Sequence, residues 1–165
     1  MIRVNTIVAL VALWATPGAK PQPDLGGQWI LASATTTLGR DGSRGEQPTK
    51  TYVSDGWAFN CGRQCRIVQQ GSTLTIEDAR FDGATAPSPT VTIVVDGQPH
   101  MVVDTITLGD TIQTVGRWEG DRLSITSMLL GKPMSQTISL EQGQLVVETL
   151  FTTSDGKLTF RYTKK

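Results

Sequence analysis

The chain is poor in the side chains that most chemistry needs. His100 is its single histidine, and Cys61 and Cys65 are its only cysteines. No G-x-S-x-G elbow marks a nucleophilic serine, and no G-x-x-x-x-G-K-[ST] loop is present to cradle a phosphate. Glu77 and Asp78 are adjacent, so on a strand they point to opposite faces and do not make a carboxylate pair. Glu119 and Asp121 flank a turn and read as solvated. The sequence therefore predicts no catalytic residues and no cofactor. Charge is scarce as a signal too: 15 basic residues balance 15 acidic ones. No long run of one sign appears, which excludes the electrostatic footprint of a nucleic-acid partner. Nowhere is there an amphipathic helix of useful length or an apolar run of the ~20 residues needed to span a bilayer.

The apolar run that is present lies at the start. A single cation, Arg3, precedes Val4–Ala15, the layout of a secretory signal peptide; the alternative is a buried N-terminal helix or strand. The expected signal covers residues 1–19, with cleavage between 15 and 19. Ala15 or Gly18 suits the last signal position, and Ala19 suits it less because Pro17 would then stand at −3. No cysteine near this region offers a lipid anchor. The remaining residues, 20–165, have the length of one domain. Export would place that domain, without any integral membrane segment, in the periplasm or outside the cell.

Past a Pro-rich linker at 20–24, Leu25–Ala34 reads as a first strand. Trp29, Leu31 and Ser33 share one of its faces; Ile30, Ala32 and Ala34 share the other. Residues 35–58 are polar, Gly-rich and aperiodic, and read as a long loop, either a lid or a disordered segment. From Arg66 onward, turn signals recur at Gly71-Ser72, Asp96-Gly97, Gly120-Asp121, Gln142-Gly143 and Asp155-Gly156, between runs rich in Val, Ile, Thr and Leu. They predict five hairpin pairings: Arg66–Gln70 with Thr73–Ala79, Thr90–Val95 with Gln98–Val103, Thr111–Trp118 with Arg122–Met128, Ser135–Glu141 with Gln144–Thr152, and that last strand with Lys157–Thr163. Period-two alternation puts Leu123 with Ile125, Leu145 with Val147, Thr149 and Phe151, and Leu158 with Phe160 and Tyr162, so one face of each strand is buried. The expected fold is all-β, an antiparallel meander of about 8–10 strands. Closure into a barrel would remove its exposed edges.

Gly27-Gln28-Trp29 near the start of such a chain resembles the G-x-W signature of lipocalins, in which the Trp closes the barrel floor. The order of further segments is similar to that in secreted bacterial lipocalin-like proteins of unassigned function. These segments are Ile67–Ile76, the Val95-Asp96-Gly97-Gln98 hairpin, Trp118-Glu119-Gly120-Asp121-Arg122-Leu123 and Asp155-Gly156-Lys157. The resemblance spans most of residues 24–165. It implies a lipocalin-like barrel that binds a small molecule, with Trp29 in the floor and an Arg near the last strand packed across it. Arg161 is the candidate. Alternation sets it opposite Leu158, Phe160 and Tyr162, so either it faces outward or its strand carries a bulge.

Cys61 and Cys65 cannot bridge along one strand, because four residues at about 3.3 Å each separate their Cα atoms by about 13 Å, against the ~4.4–6.8 Å of a disulfide. A turn at Gly62 would bring them together. In an exported protein the expected product is a structural disulfide; redox or metal chemistry is the alternative. Cys61, Cys65, His100, Met101, Met128 and Met134 together would suit Cu(I). The apolar connector Ser127–Met134, with Trp57 and Phe59, is expected to line the barrel mouth. Leu123, Ile125, Met128, Val147, Phe151 and Phe160 complete a binding set for a small apolar or amphipathic molecule. Three functions are thus in competition: a non-enzymatic carrier with a hollow barrel, an envelope interaction or inhibitor module with a filled one, and a copper or thiol site.

Overall fold

The computed structural model describes residues 21–38, 46–48, 59, 61–78, 90–104, 110–129, 131–151 and 156–165; the predicted signal segment and Trp57 lie outside them. The strands are β1 (Gly27–Leu38), β2 (Glu46–Pro48), β3 (Gln64–Gln70), β4 (Thr73–Asp78), β5 (Thr90–Val94) and β6 (Pro99–Asp104). They continue with β7 (Asp110–Glu119), β8 (Arg122–Leu129), β9 (Lys132–Glu141), β10 (Gln144–Phe151) and β11 (Gly156–Lys164). All pairings are antiparallel. Ten strands follow the order β5-β4-β3-β1-β11-β10-β9-β8-β7-β6, with the short β2 added to β1. The fold is therefore all-β, a nearly closed antiparallel barrel. No helix long and apolar enough to cross a membrane occurs among the described residues.

The first strand carries one correction. Trp29 and Leu31 face the core as expected, but the register with β11 slips between Leu31 and Ser33. Beyond this bulge Ala34 packs on the core and Ser33 is exposed. One inserted residue reverses the phase of everything after it, so the simple alternation reads correctly only to the bulge. The predicted loop also begins later than expected. Thr35–Leu38 continue β1, and Thr35–Thr37 pair with Glu46–Pro48.

Four of the five expected hairpins form, in near-expected register. The fifth does not. β5 and β6 are the two ends of the strand order and share no ladder. The donors beside their turn are spent elsewhere: Val95 N–H on Ser72 O at 2.7 Å and Gly97 N–H on Gly116 O at 2.9 Å. Pro99, at the start of β6, brings no donor at all. The barrel's seam is thus drawn together by β7 rather than by pairing. Gly116 makes that approach possible, because a Cβ there would lie 2.9 Å from Val94 O.

The supposed connector Ser127–Met134 is mostly strand. β8 and β9 pair out to Leu129↔Lys132, with Gly131 at φ +74°.

Candidate ligand-binding interior

The inward phases of the strands build one continuous core. Leu123, Ile125, Val147 and Phe160 are all at least 97% buried within it, together with Trp29, Ile67, Ile76, Ile93, Ile138, Leu145 and Tyr162. The register divides the interior into two ends. Trp29 lies opposite Lys164 and Cys65, while Leu145 lies opposite Tyr162 and Leu140; these residues mark the floor. At the other end β8 and β9 pair as far as Leu129↔Lys132, and β10 reaches Phe151↔Met134.

The floor is closed by hydrogen bonds as well as by packing. Trp29 donates its indole N–H to Leu25 O at 2.9 Å, and Leu25 donates its own N–H to Gln69 Oε1 at 2.9 Å. Gln69 in turn donates Nε2–H to Pro23 O at 3.4 Å. The segment before β1 is thereby folded under the barrel, with Leu25 fully buried. The expected Arg161 contact is not made. Arg161 is half-exposed and reaches Glu141 at 3.4 Å. The β11 phase is unbroken, so of the two alternatives the outward orientation holds; the bulge lies in β1 instead. Lys164 takes the cationic position, its Nζ 5.5 Å from the Trp29 ring centroid.

Cys61 and Cys65 form a disulfide with Cα atoms 5.0 Å apart, and both residues are buried. With its sulfurs bonded to each other, the pair offers no thiolate to a metal or a redox partner. His100 lies instead near the start of β6, half-buried beside the β5–β6 turn, its Nε2 2.9 Å from Asp96 Oδ1. Asp96 also accepts the Gln98 N–H at 2.8 Å. That backbone bond, assisted by His100, lowers its carboxyl below the ordinary value.

Phe59, just before the disulfide, is drawn into the barrel. Phe59 is 1% exposed and belongs to the core cluster. Its backbone is held by one side chain on β9, seventy-seven residues away. Phe59 N–H donates to Gln136 Oε1 at 3.0 Å, and Gln136 donates Nε2–H to Phe59 O at 2.9 Å and to Thr149 Oγ1 at 3.3 Å. A primary amide presents a donor and an acceptor side by side, so it completes the backbone of a segment that has no strand partner there. Gly62 O accepts the Tyr162 hydroxyl at 3.3 Å, which ties the same segment to β11.

Of the residues expected to line the site, Phe59, Leu123, Ile125, Val147 and Phe160 meet in this core. Met128 does not join them. It is 42% exposed on the outward phase of β8, opposite to Leu123, Ile125 and Ser127. Phe151 ends β10, paired with Met134; its side chain, like Trp57, lies outside the described residues. Sequence reasoning missed Thr114, Ser127 and Gln136, which are each 1% exposed on the inward phases of β7, β8 and β9. Their signal was positional: each continues an alternating row of Ile, Leu or Met.

No family model matches the chain, and no curated protein matches it in sequence. Solved structures do match in fold. The wild-type fluorescent protein UnaG superposes with a TM-score of 0.56 at 14% identity, over 86% of this chain and 97% of the other. A structure described as the REP1-NXSQ fatty acid transporter gives 0.54 at 16%, over 86% and 96%. The zebrafish ileal bile acid-binding protein in complex with cholic acid gives 0.54 at 17%, over 85% and 98%. At such identities the likeness concerns architecture alone, and it shows the same nearly closed antiparallel β-barrel fold.

Proposed function

We propose that this chain is an exported, non-enzymatic binding protein for one small apolar or amphipathic molecule held inside the barrel. The observation that carries the reading is the convergence of Leu123, Ile125, Val147 and Phe160 on the interior of a nearly closed barrel. A barrel of this strand number has room for one small ligand. An apolar enclosure with a few convergent polar groups is the usual form of such a site. Among the similar structures, one is described as a fatty acid transporter and one is bound to cholic acid, which favours the same use of the fold. Export rests on the N-terminal charge and apolar pattern and on the disulfide, which persists in oxidising compartments. In this reading Phe59, held by Gln136, forms one wall of the pocket, with Trp57 and Phe151 placed by proposal toward the mouth. Met128, on the outer phase of β8, is left out.

A second reading has one specific observation in its favour. Phe59 and the Gln136 amide occupy interior space, as a filled barrel serving as an interaction module would require. Native mass spectrometry of the protein purified from its own source, without added ligand, separates the two. A reproducible extra mass removed by organic solvent supports the carrier. A clean apo mass, together with failure of the solvent-stripped protein to take up a neutral apolar dye, refutes the carrier and favours the module.

A further inference from the structure

The polar side chains inside the barrel are not scattered. Thr114 on β7 lies directly opposite Ser127 on β8, and Gln136 on β9 lies directly opposite Thr149 on β10. All four are 0–1% exposed. They span four adjacent strands: Gln136 lies opposite Ile125, and Ser127 lies one inward position farther from the Trp29 floor. Gln136 and Thr149 are engaged with the Phe59 segment. The other two are under-used. Thr114 Oγ1 reaches only His100 O, at 3.5 Å, and Ser127 Oγ is buried with no hydrogen-bond partner.

A buried hydroxyl without a partner carries the full desolvation penalty of its polar atom. An alanine would fill the same place without that penalty, so the hydroxyl marks a position where something else completes the bond. The adjacent Thr114 supplies a second hydroxyl facing the same space. Each can donate one hydrogen bond and accept others.

The charge pattern restricts what that something is. On the barrel strands, Arg66, Arg117, Lys157 and Arg161 take the outward phase beside Glu77, Glu119, Glu148 and Glu141, and Lys164, on the inward phase of β11, lies over Trp29 at the floor, the end away from Ser127. An anionic head group brought to Ser127 would meet neutral hydroxyls in a largely apolar interior. Burial of a carboxylate without a paired charge is strongly unfavourable.

Resting on the carrier reading, we propose that Thr114 and Ser127 form a head-group subsite for a neutral hydrogen-bonding function, an alcohol or amide on an apolar chain, and that the site discriminates against carboxylates. The apolar tail runs toward Leu123 and Ile125.

The test uses the full mature chain, stripped with organic solvent and loaded with the neutral dye Nile red. Hexadecan-1-ol, hexadecanamide and hexadecanoate compete for the site at pH 8, where the acid is ionised. The alcohol and amide should displace the dye at least tenfold more tightly than hexadecanoate. Ser127→Ala should weaken the alcohol about five- to tenfold, the effect of one lost hydrogen bond, and should narrow its advantage over the acid. Thr114→Val provides a second, independent variant. Hexadecanoate binding as tightly as the alcohol overturns the proposal and leaves the carrier standing. So does an alcohol affinity unmoved by both variants, or dye binding that none of the three displaces. Failure to bind dye and all three lipids overturns the carrier reading itself, and the subsite with it.

Discussion

Gln136 is the residue whose replacement tests the interior most directly. Leucine in its place keeps most of the volume and removes three hydrogen bonds. Two of these satisfy the Phe59 backbone at 2.9 and 3.0 Å, and the third, to Thr149, is longer at 3.3 Å. If Phe59 stays in place, its N–H and C=O are left buried and unpaired, at about 1–3 kcal/mol each. If the segment instead withdraws into water, its backbone is solvated but the burial of the Phe59 ring is lost, about 1.5–3 kcal/mol. The second route caps the first, so Gln136→Leu should destabilise by about 2–3 kcal/mol. Urea unfolding with linear extrapolation reads the difference at unchanged slope. Amide exchange at Phe59 tells which route the protein takes, since withdrawal removes its protection. Thr149→Val, which touches only the long bond, should lose less than about 1 kcal/mol. A Gln136→Leu loss below about 0.5 kcal/mol with Phe59 still protected would refute the clamp.

Three further outcomes follow from the geometry. Because Cys61 and Cys65 are both buried, alanine probes the disulfide more cleanly than serine, and the double variant should stay folded while losing about 2 kcal/mol for so short a loop; a variant unfolded at room temperature would mean that the pair anchors far more than its own turn. Gly116→Ala sets a Cβ 2.9 Å from the Val94 carbonyl and should destabilise by about 1–3 kcal/mol, with faster amide exchange at Gly97; an unchanged midpoint would mean that the seam gives way freely. Asp96 is held below its ordinary value of 3.8, first by the Gln98 N–H, so its contribution is present above that value and is lost as pH falls through the lowered folded one. Protection of the Gln98 amide, taken relative to its intrinsic exchange rate, should therefore fall in acid ahead of the core, and Asp96→Asn should abolish that change; protection constant between pH about 5 and 2 would remove Asp96 from that role.

The hairpins were legible because their signals are local. Gly120, Gly143 and Gly71 take positive φ at the turns, and the alternating rows of β8, β10 and β11 bury the faces that their sequences mark. The β5–β6 turn shows where local reading stops. Asp96-Gly97 is as good a turn signal as the others, and the chain does turn there. Whether the flanking strands then pair depends on what else competes for their donors. Ser72 O and Gly116 O win that competition, and neither is near the turn in sequence. The bulge in β1 is illegible for the same reason, since Ala32 and Ser33 suit either phase and only the register with β11 decides between them.

The interior was harder to read than the fold because its meaning lies in pairs. Trp29 could be placed in the floor from its motif, but its cationic neighbour is Lys164 rather than Arg161. The unbroken β11 alternation turns Arg161 outward, and the antiparallel pairing of β1 with β11 sets Lys164 directly opposite Trp29. Gln136 reads in isolation as a polar interruption of a buried strand, to be explained away by an edge or an exposed face. In place it is the partner of a segment seventy-seven residues earlier, and its polarity exists because that segment brings an unpaired backbone into the barrel. Ser127 is the same kind of interruption without such a partner. Two like interruptions on neighbouring strands, one satisfied by the chain itself and one not, distinguish a structural use of interior polarity from the hydroxyl on which the proposed subsite rests. That contrast, rather than the apolar lining that many barrels share, ties the carrier reading to particular atoms of this sequence.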